Sequence, residues 1–232
     1  MKNNTNSLFW VLSPTYKLAE KNKKKWLLSK DGKQRLTDEI KKYNRYYLAI
    51  TLLFAAAAGL VFRQEYYADE ELKYVTWFLV ALFCWAIFFS RAFEIFKAFL
   101  DDAVEKLNGI PSTSDLHYGD RLRLAFNSYI ELMVGFGVLY YVLPSSFFKS
   151  GGPHFHFDNI VEAIYFSGVT MATVGYGDIS PANALTQALV VFQVFCGLTL
   201  ALVSFTVYTS LALASPNTAV QGTQRDKAAP RP

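Results

Sequence analysis

Thr173-Val174-Gly175-Tyr176-Gly177-Asp178 is the stretch on which the reading of this chain turns. Two glycines stand two positions apart. A strand whose alternate residues take left-handed backbone angles aims its successive carbonyls to one side, and glycine adopts those angles without a Cβ clash. Val174 and Tyr176 then point the other way and wedge the strand against its surroundings. Thr173 adds a hydroxyl at one end and Asp178 a carboxylate at the other.

The flanks extend the pattern. Before it, Asp158 to Ala172 is a short, mostly apolar run with an aromatic pair, Tyr165-Phe166, and Thr170-Met171 close to its end. After it, Ile179-Ser180-Pro181 leads into a long apolar segment. From about Ala125 to Leu213 the chain resembles the pore domain of potassium channels, whose signature and flanks read this way; the N-terminal half lies outside the resemblance. The resemblance implies a re-entrant pore helix followed by a selectivity filter. In that family, rings of backbone carbonyls from four loops replace the ion's hydration shell. Carried over by position, the ion-binding groups are the carbonyls of Thr173, Val174, Gly175, Tyr176 and Gly177 with the Thr173 hydroxyl. K⁺ is the permeant ion at Thr173, Val174, Gly175 and Tyr176, and no cofactor is implied. Asp178 would attract cations at the outer mouth and anchor the filter's end. Tyr165 occupies the place where relatives carry a tryptophan that reaches the filter aspartate, and its hydroxyl can donate the same kind of bond. Phe166, the second supporting aromatic, has no donor. Gly197 stands where the family's inner helix commonly has its hinge; close helix packing is the other reading. Leu198, Ala201, Leu202 and Phe205 share a helical face, for lining the cavity or for packing against the third span.

Composition agrees with a membrane protein. Of 232 residues, 52% are hydrophobic and 18% charged, with 20 Phe and 14 Tyr. The apolar residues fall in blocks, which reads as spans with aromatic belts. Four transmembrane helices are expected, at roughly Tyr46–Phe62, Tyr74–Ser90, Leu124–Leu143 (stopped by Pro144) and Ala184–Leu213. The pore helix between the last two is too short to cross and is allowed at membrane depth only where protein surrounds it. The expected fold class is therefore all-α. Its parts are a basic segment (1–45), two N-terminal spans (46–90), a linker (91–123), the pore domain (124–213) and a disordered tail (214–232). The first residues lack the short apolar core of a signal peptide. Cys84 and Cys196 lie inside apolar runs and read as small buried hydrophobes rather than a disulfide framework.

Lysine and arginine set the orientation. Residues 1–45 hold twelve, 91–123 five and the tail three, whereas the opposite-side loops hold only Arg63, Lys73 and Lys149. The positive-inside rule puts both termini in the cytoplasm and opens the filter loop outward. The expected location is the plasma membrane, or the inner membrane of a bacterium.

Outside the spans, Lys21, Lys23, Lys24 and Lys25 beside Trp26-Leu27-Leu28 suit either a segment on an anionic inner leaflet or a solvated tail. Phe93, Phe96, Leu100, Val104 and Leu107 recur at helical spacing, so 91–107 is an amphipathic helix ended by Asn108-Gly109-Ile110-Pro111. His154 and His156 share a side of the outer loop, where protons or a metal could act. Glu131 is an acid within the third span and a functional candidate on that ground. Arg91, Arg123 or Tyr208 could partner it, or it could snorkel to the inner interface.

No span carries arginines at every third position, so voltage sensing of the usual kind is not expected. A single pore loop implies a homotetramer with cyclic symmetry. No nucleophile, base and orienting group gather on one aqueous side, so an enzyme is not expected, nor is a nucleic-acid partner. A weakly selective cation channel and a non-conducting membrane scaffold are the alternative readings.

Overall fold

The structure, a computed structural model, describes residues 13–61, 79, 82–150 and 157–214. The described residues are predominantly helical. Helix α1 (Pro14–Leu27) starts at Ser13, whose hydroxyl accepts the Tyr16 N–H at 3.2 Å. Proline at the first helical position costs no hydrogen bond there. The same Ser13 hydroxyl donates to the Ser90 carbonyl at 2.7 Å, and the Thr15 and Ser90 hydroxyls lie 2.9 Å apart. The start of α1 is thus pinned to the start of α3 (Ser90–Leu107), just after a π-helical turn at Trp85–Phe89.

Helix α2 (Gly32–Val61) has 30 residues. It runs beside α4 (Tyr118–Val142) in the same direction, as three contacts of rising number record. The Thr37 hydroxyl accepts the Asp115 N–H at 2.9 Å, Lys41 pairs with Asp120 at 2.9 Å, and the Asn44 amide donates to the Ser128 hydroxyl at 2.9 Å. The first expected span is the C-terminal part of α2. The basic segment before it is folded from residue 14 onward as two packed helices, not a solvated tail. Its lysines and arginines stay on the exposed faces while Leu36, Thr37 and Asn44 are buried. Of the second expected span, 74–90, the structure describes residue 79 and residues 82–90, which are helical; His154 and His156 lie outside the described residues.

Among the described residues, α4 and the segment Ala184–Leu211 are long and apolar enough to cross a membrane. Helix α4 ends at Leu143, before Pro144, as expected. The amphipathic helix α3 ends at Asn108, with Gly109 in left-handed geometry at φ 67°. The all-α expectation needs one amendment. Strands β1 (Phe148–Ser150) and β2 (Ile179–Pro181) pair antiparallel, Phe148 opposite Pro181 and Ser150 opposite Ile179. The chain leaving α4 thereby satisfies the backbone groups of the chain leaving the signature stretch.

The expected pore helix corresponds to α5 (Ile160–Met171), capped by the Asn159 side chain on the Val161 and Glu162 N–H groups at 2.9 and 3.1 Å. Helix α6 (Ala184–Leu198) opens on a capping box of Asn183 and Thr186. It passes through a π-helical turn at Thr199–Ser204 into α7 (Phe205–Ala214). The Ser204 hydroxyl donates to the Thr199 carbonyl at 3.1 Å, occupying an acceptor that the wide turn leaves poorly used.

The core has two parts. The larger gathers α4, α5 and α6 around Phe136, Val138, Tyr140, Ala163, Met171 and Cys196. The smaller joins α3 to α7 through Ala103, Val207 and Tyr208.

Candidate functional site

The signature stretch leaves the C-terminus of α5 as an extended chain. Its backbone alternates as the glycine spacing requires: φ is 58° at Gly175 and 80° at Gly177. Thr173 joins the series at φ 58°, which the glycine pattern did not announce. A β-branched residue in that region is strained, by roughly 1–3 kcal/mol. Left-handed residues at 173, 175 and 177 are separated by Val174 and Tyr176, a strict two-residue repeat. Extending the glycine spacing one step back would have found Thr173.

The start of the strand hangs from the last turn of α5. The Thr173 N–H donates to the Thr170 carbonyl at 3.0 Å. The Val169 carbonyl accepts from Val174 N–H at 2.9 Å and Gly175 N–H at 3.4 Å. Residues 172–178 are all exposed in the single chain, Tyr176 at 70% and Val174 at 51%.

The two aromatic residues before the filter part company. Tyr165 lies parallel to Tyr176, ring centroids 6.5 Å apart and planes 9° from coplanar, with its hydroxyl in interaction range of the Asp178 carboxylate. Asp178 also accepts the Ile179 N–H at 3.0 Å. Phe166 takes no such place. Its ring enters an aromatic cluster with Tyr140 at 5.1 Å and Phe148 at 5.7 Å, away from the strand it was expected to support. The physical reason is that neighbouring helix positions diverge by about 100°, so one face of α5 meets the signature stretch and the next meets α4.

Gly197 is buried against α5. A Cβ there would lie 2.8 Å from Met171 Cγ and 2.9 Å from the Met171 carbonyl oxygen. Its surroundings are those of close helix packing, and the departure from α geometry begins at Thr199. Leu198 is half-buried, while Ala201, Leu202 and Phe205 are exposed in the single chain.

Glu131 is buried, 2% exposed, and of its anticipated partners the structure brings it Arg91: Nε to Oε1 is 2.8 Å. Arg91 also meets Glu94 at 2.6 Å and lies over the Tyr47 ring at 4.1 Å. Tyr208 instead donates to Asp102 at 2.7 Å, and Asp102 is also paired with Arg121.

One arrangement went unread in the sequence. Gln193 of α6, fully buried, donates to the Ser167 hydroxyl at 2.6 Å and the Ser167 carbonyl at 2.9 Å. It accepts from the Tyr140 hydroxyl at 2.7 Å, and Ser167 donates to the Met133 carbonyl at 2.6 Å. The available signal was an amide in an otherwise apolar helix.

Comparison with known proteins bears on this geometry. Residues 128–213 match the profile of a family described as ion channel. Over this stretch the chain is similar to potassium channels. The inward rectifier potassium channel Kirbac3.1 of Paramagnetospirillum magnetotacticum is 30% identical over 91 residues, covering 36% of this chain and 30% of that protein. Two-pore potassium channel 2 of Arabidopsis thaliana is 36% identical over 74 residues, 31% of this chain and 16% of its own length. Two pore potassium channel c of Oryza sativa subsp. japonica is 39% identical over 62 residues, 26% and 13% respectively. The chain thus spans less than a third of the length of these relatives, which are channels rather than enzymes. No solved structure matches. The signature stretch, α5 and the α6–α7 helix fall within the matched residues. The helices α1, α2 and α3 lie before them.

Proposed function

We propose that this protein is a subunit of a potassium-selective channel, a homotetramer through which K⁺ passes down its gradient. The observation that carries the reading is the alternating backbone at Thr173, Gly175 and Gly177, which turns successive carbonyls to one side within a matched potassium-channel pore domain. The carbonyls of Thr173, Val174, Gly175, Tyr176 and Gly177 and the Thr173 hydroxyl are the proposed ion ligands. A strand exposed along one side in a single chain fits four copies that complete the oxygen rings. The apolar runs support four membrane spans and the short length of α5 supports a re-entrant helix; the charge distribution supports cytoplasmic termini and an outward-facing filter. Ala201, Leu202 and Phe205 are proposed to face the cavity below the filter, and the turn at Thr199–Ser204, just after Gly197, is where the inner helix would bend. The basic faces of α1 and α2 suit contact with anionic lipid.

The test is flux through purified protein in liposomes, followed by reversal potentials with K⁺ on one side and Na⁺ on the other. Strong preference for K⁺, lost in Tyr176→Asp, supports the reading. Flux without preference points to a weakly selective cation channel, and absence of flux to a scaffold.

A further inference from the structure

We infer that Gln193 is a positioning residue for ion selectivity, resting on the channel reading above. The hydrogen bonds around it form a closed circuit through three helices. Tyr140 of α4 donates to Gln193 Oε1, at 2.7 Å. Gln193 Nε2 donates to Ser167 Oγ and to the Ser167 carbonyl on α5, at 2.6 and 2.9 Å. Ser167 Oγ donates to the Met133 carbonyl, back on α4, at 2.6 Å. The donor direction is forced. A carbonyl can only accept, so the Gln193 amide nitrogen must face Ser167 and its oxygen must face Tyr140. Ser167 Oγ, accepting from Gln193, is left to donate its single proton to Met133. Tyr140, Ser167 and Gln193 are all 1% exposed or less, so each bond is shielded from competing water.

The route from this circuit to the filter is two residues long. Ser167 is held from both sides, and Val169 follows it in the same turn of α5. The Val169 carbonyl carries the N–H groups of Val174 and Gly175. A pore helix free to rotate or slide by a fraction of an ångström would carry that carbonyl, and the first filter residues, with it.

Close contacts lie on either side of the circuit. A Cβ at Gly137 would fall 2.9 Å from Ile164 Cα, and one at Gly197 2.9 Å from the Met171 carbonyl. Those contacts bring the helix backbones together. The amide circuit fixes how far along and around each helix they sit, because hydrogen bonds are directional and apolar contacts are not.

The experiment compares wild type, Gln193→Leu, Tyr140→Phe and Ser167→Ala as full chains in liposomes. It reads K⁺/Na⁺ reversal potential together with thermal melting. The expected result is a rise in relative Na⁺ permeability of about tenfold in Gln193→Leu, the factor that corresponds to ~1.4 kcal/mol. Smaller rises are expected in Tyr140→Phe and Ser167→Ala, each of which keeps part of the circuit. The Tyr140→Phe and Gln193→Leu effects should be less than additive, since they break the same chain. Wild-type selectivity in all three conducting variants, whatever their melting temperatures, overturns the inference and leaves the channel reading standing. A non-selective or silent wild type overturns the channel reading itself, and this inference with it.

Discussion

Arg91 sits between two buried carboxylates, and charge arithmetic ranks three substitutions that a simple count of contacts would treat alike. Its guanidinium meets Glu94 Oε1 at 2.6 Å and Glu131 Oε1 at 2.8 Å. The second oxygens of both acids are buried without a hydrogen-bond partner. The trio carries one excess negative charge. Arg91→Gln leaves two buried acids with no cation between them, and breaking a buried pair this way costs about 3–5 kcal/mol. Glu131→Gln and Glu94→Gln each leave a neutral pair. Either one weakens a charge-assisted bond of roughly 1.5–3 kcal/mol and removes the repulsion between two buried carboxylates, which offsets much of that loss. The net should be within ~1 kcal/mol of zero. Melting of the purified protein in detergent, followed by circular dichroism, reads the difference. At about 2–4 °C per kcal/mol for a chain of this size, Arg91→Gln should melt about 6–20 °C lower while the two acid variants stay near wild type. If Arg91→Gln and Glu131→Gln melt together, the excess charge is compensated elsewhere and the reasoning fails.

Three further outcomes follow from the packing and the filter. Gly137→Ala drives a methyl into the α5 backbone at Ile164, which cannot rotate away, so overpacking of roughly 1–3 kcal/mol should lower the melting temperature; an unchanged melt would mean that α5 shifts freely. Tyr165→Phe removes the hydroxyl facing Asp178, and K⁺ flux should decay faster or fall in amplitude with assembly unaltered by cross-linking; records matching wild type would retire that contact as a stabiliser. Tyr208→Phe deletes a bond to an ionised acceptor, worth roughly 1.5–3 kcal/mol, between α7 and α3. It should speed hydrogen exchange at the end of α7 before any change around the filter, and uniform exchange would refute the separation of the two packed clusters.

Local and periodic features were legible without the fold. Glycines two apart allow an alternating backbone without a Cβ clash, whatever surrounds them. Apolar runs, a proline after α4 and an Asn-Gly after α3 mark helix ends for the same kind of reason. Charge counts needed no structure either. Other features depend on residues far apart in the chain meeting at one point. Glu131 had three nameable partners, and the choice of Arg91 required knowing that the start of α3 lies against both Tyr47 of α2 and Glu131 of α4. Phe166 was paired with Tyr165 as a support, but α4 supplies an aromatic cluster on one side of α5 while the signature stretch lies on the other. The folded state of residues 14–45 depends on Ser90, Asp115 and Ser128, each more than seventy positions away along the chain from its partner. Gln193 and Ser167 carry no periodic signature at all. A buried amide is stable in such a helix only when every donor and acceptor finds a partner, and that condition is met by three helices together, not by any one of them.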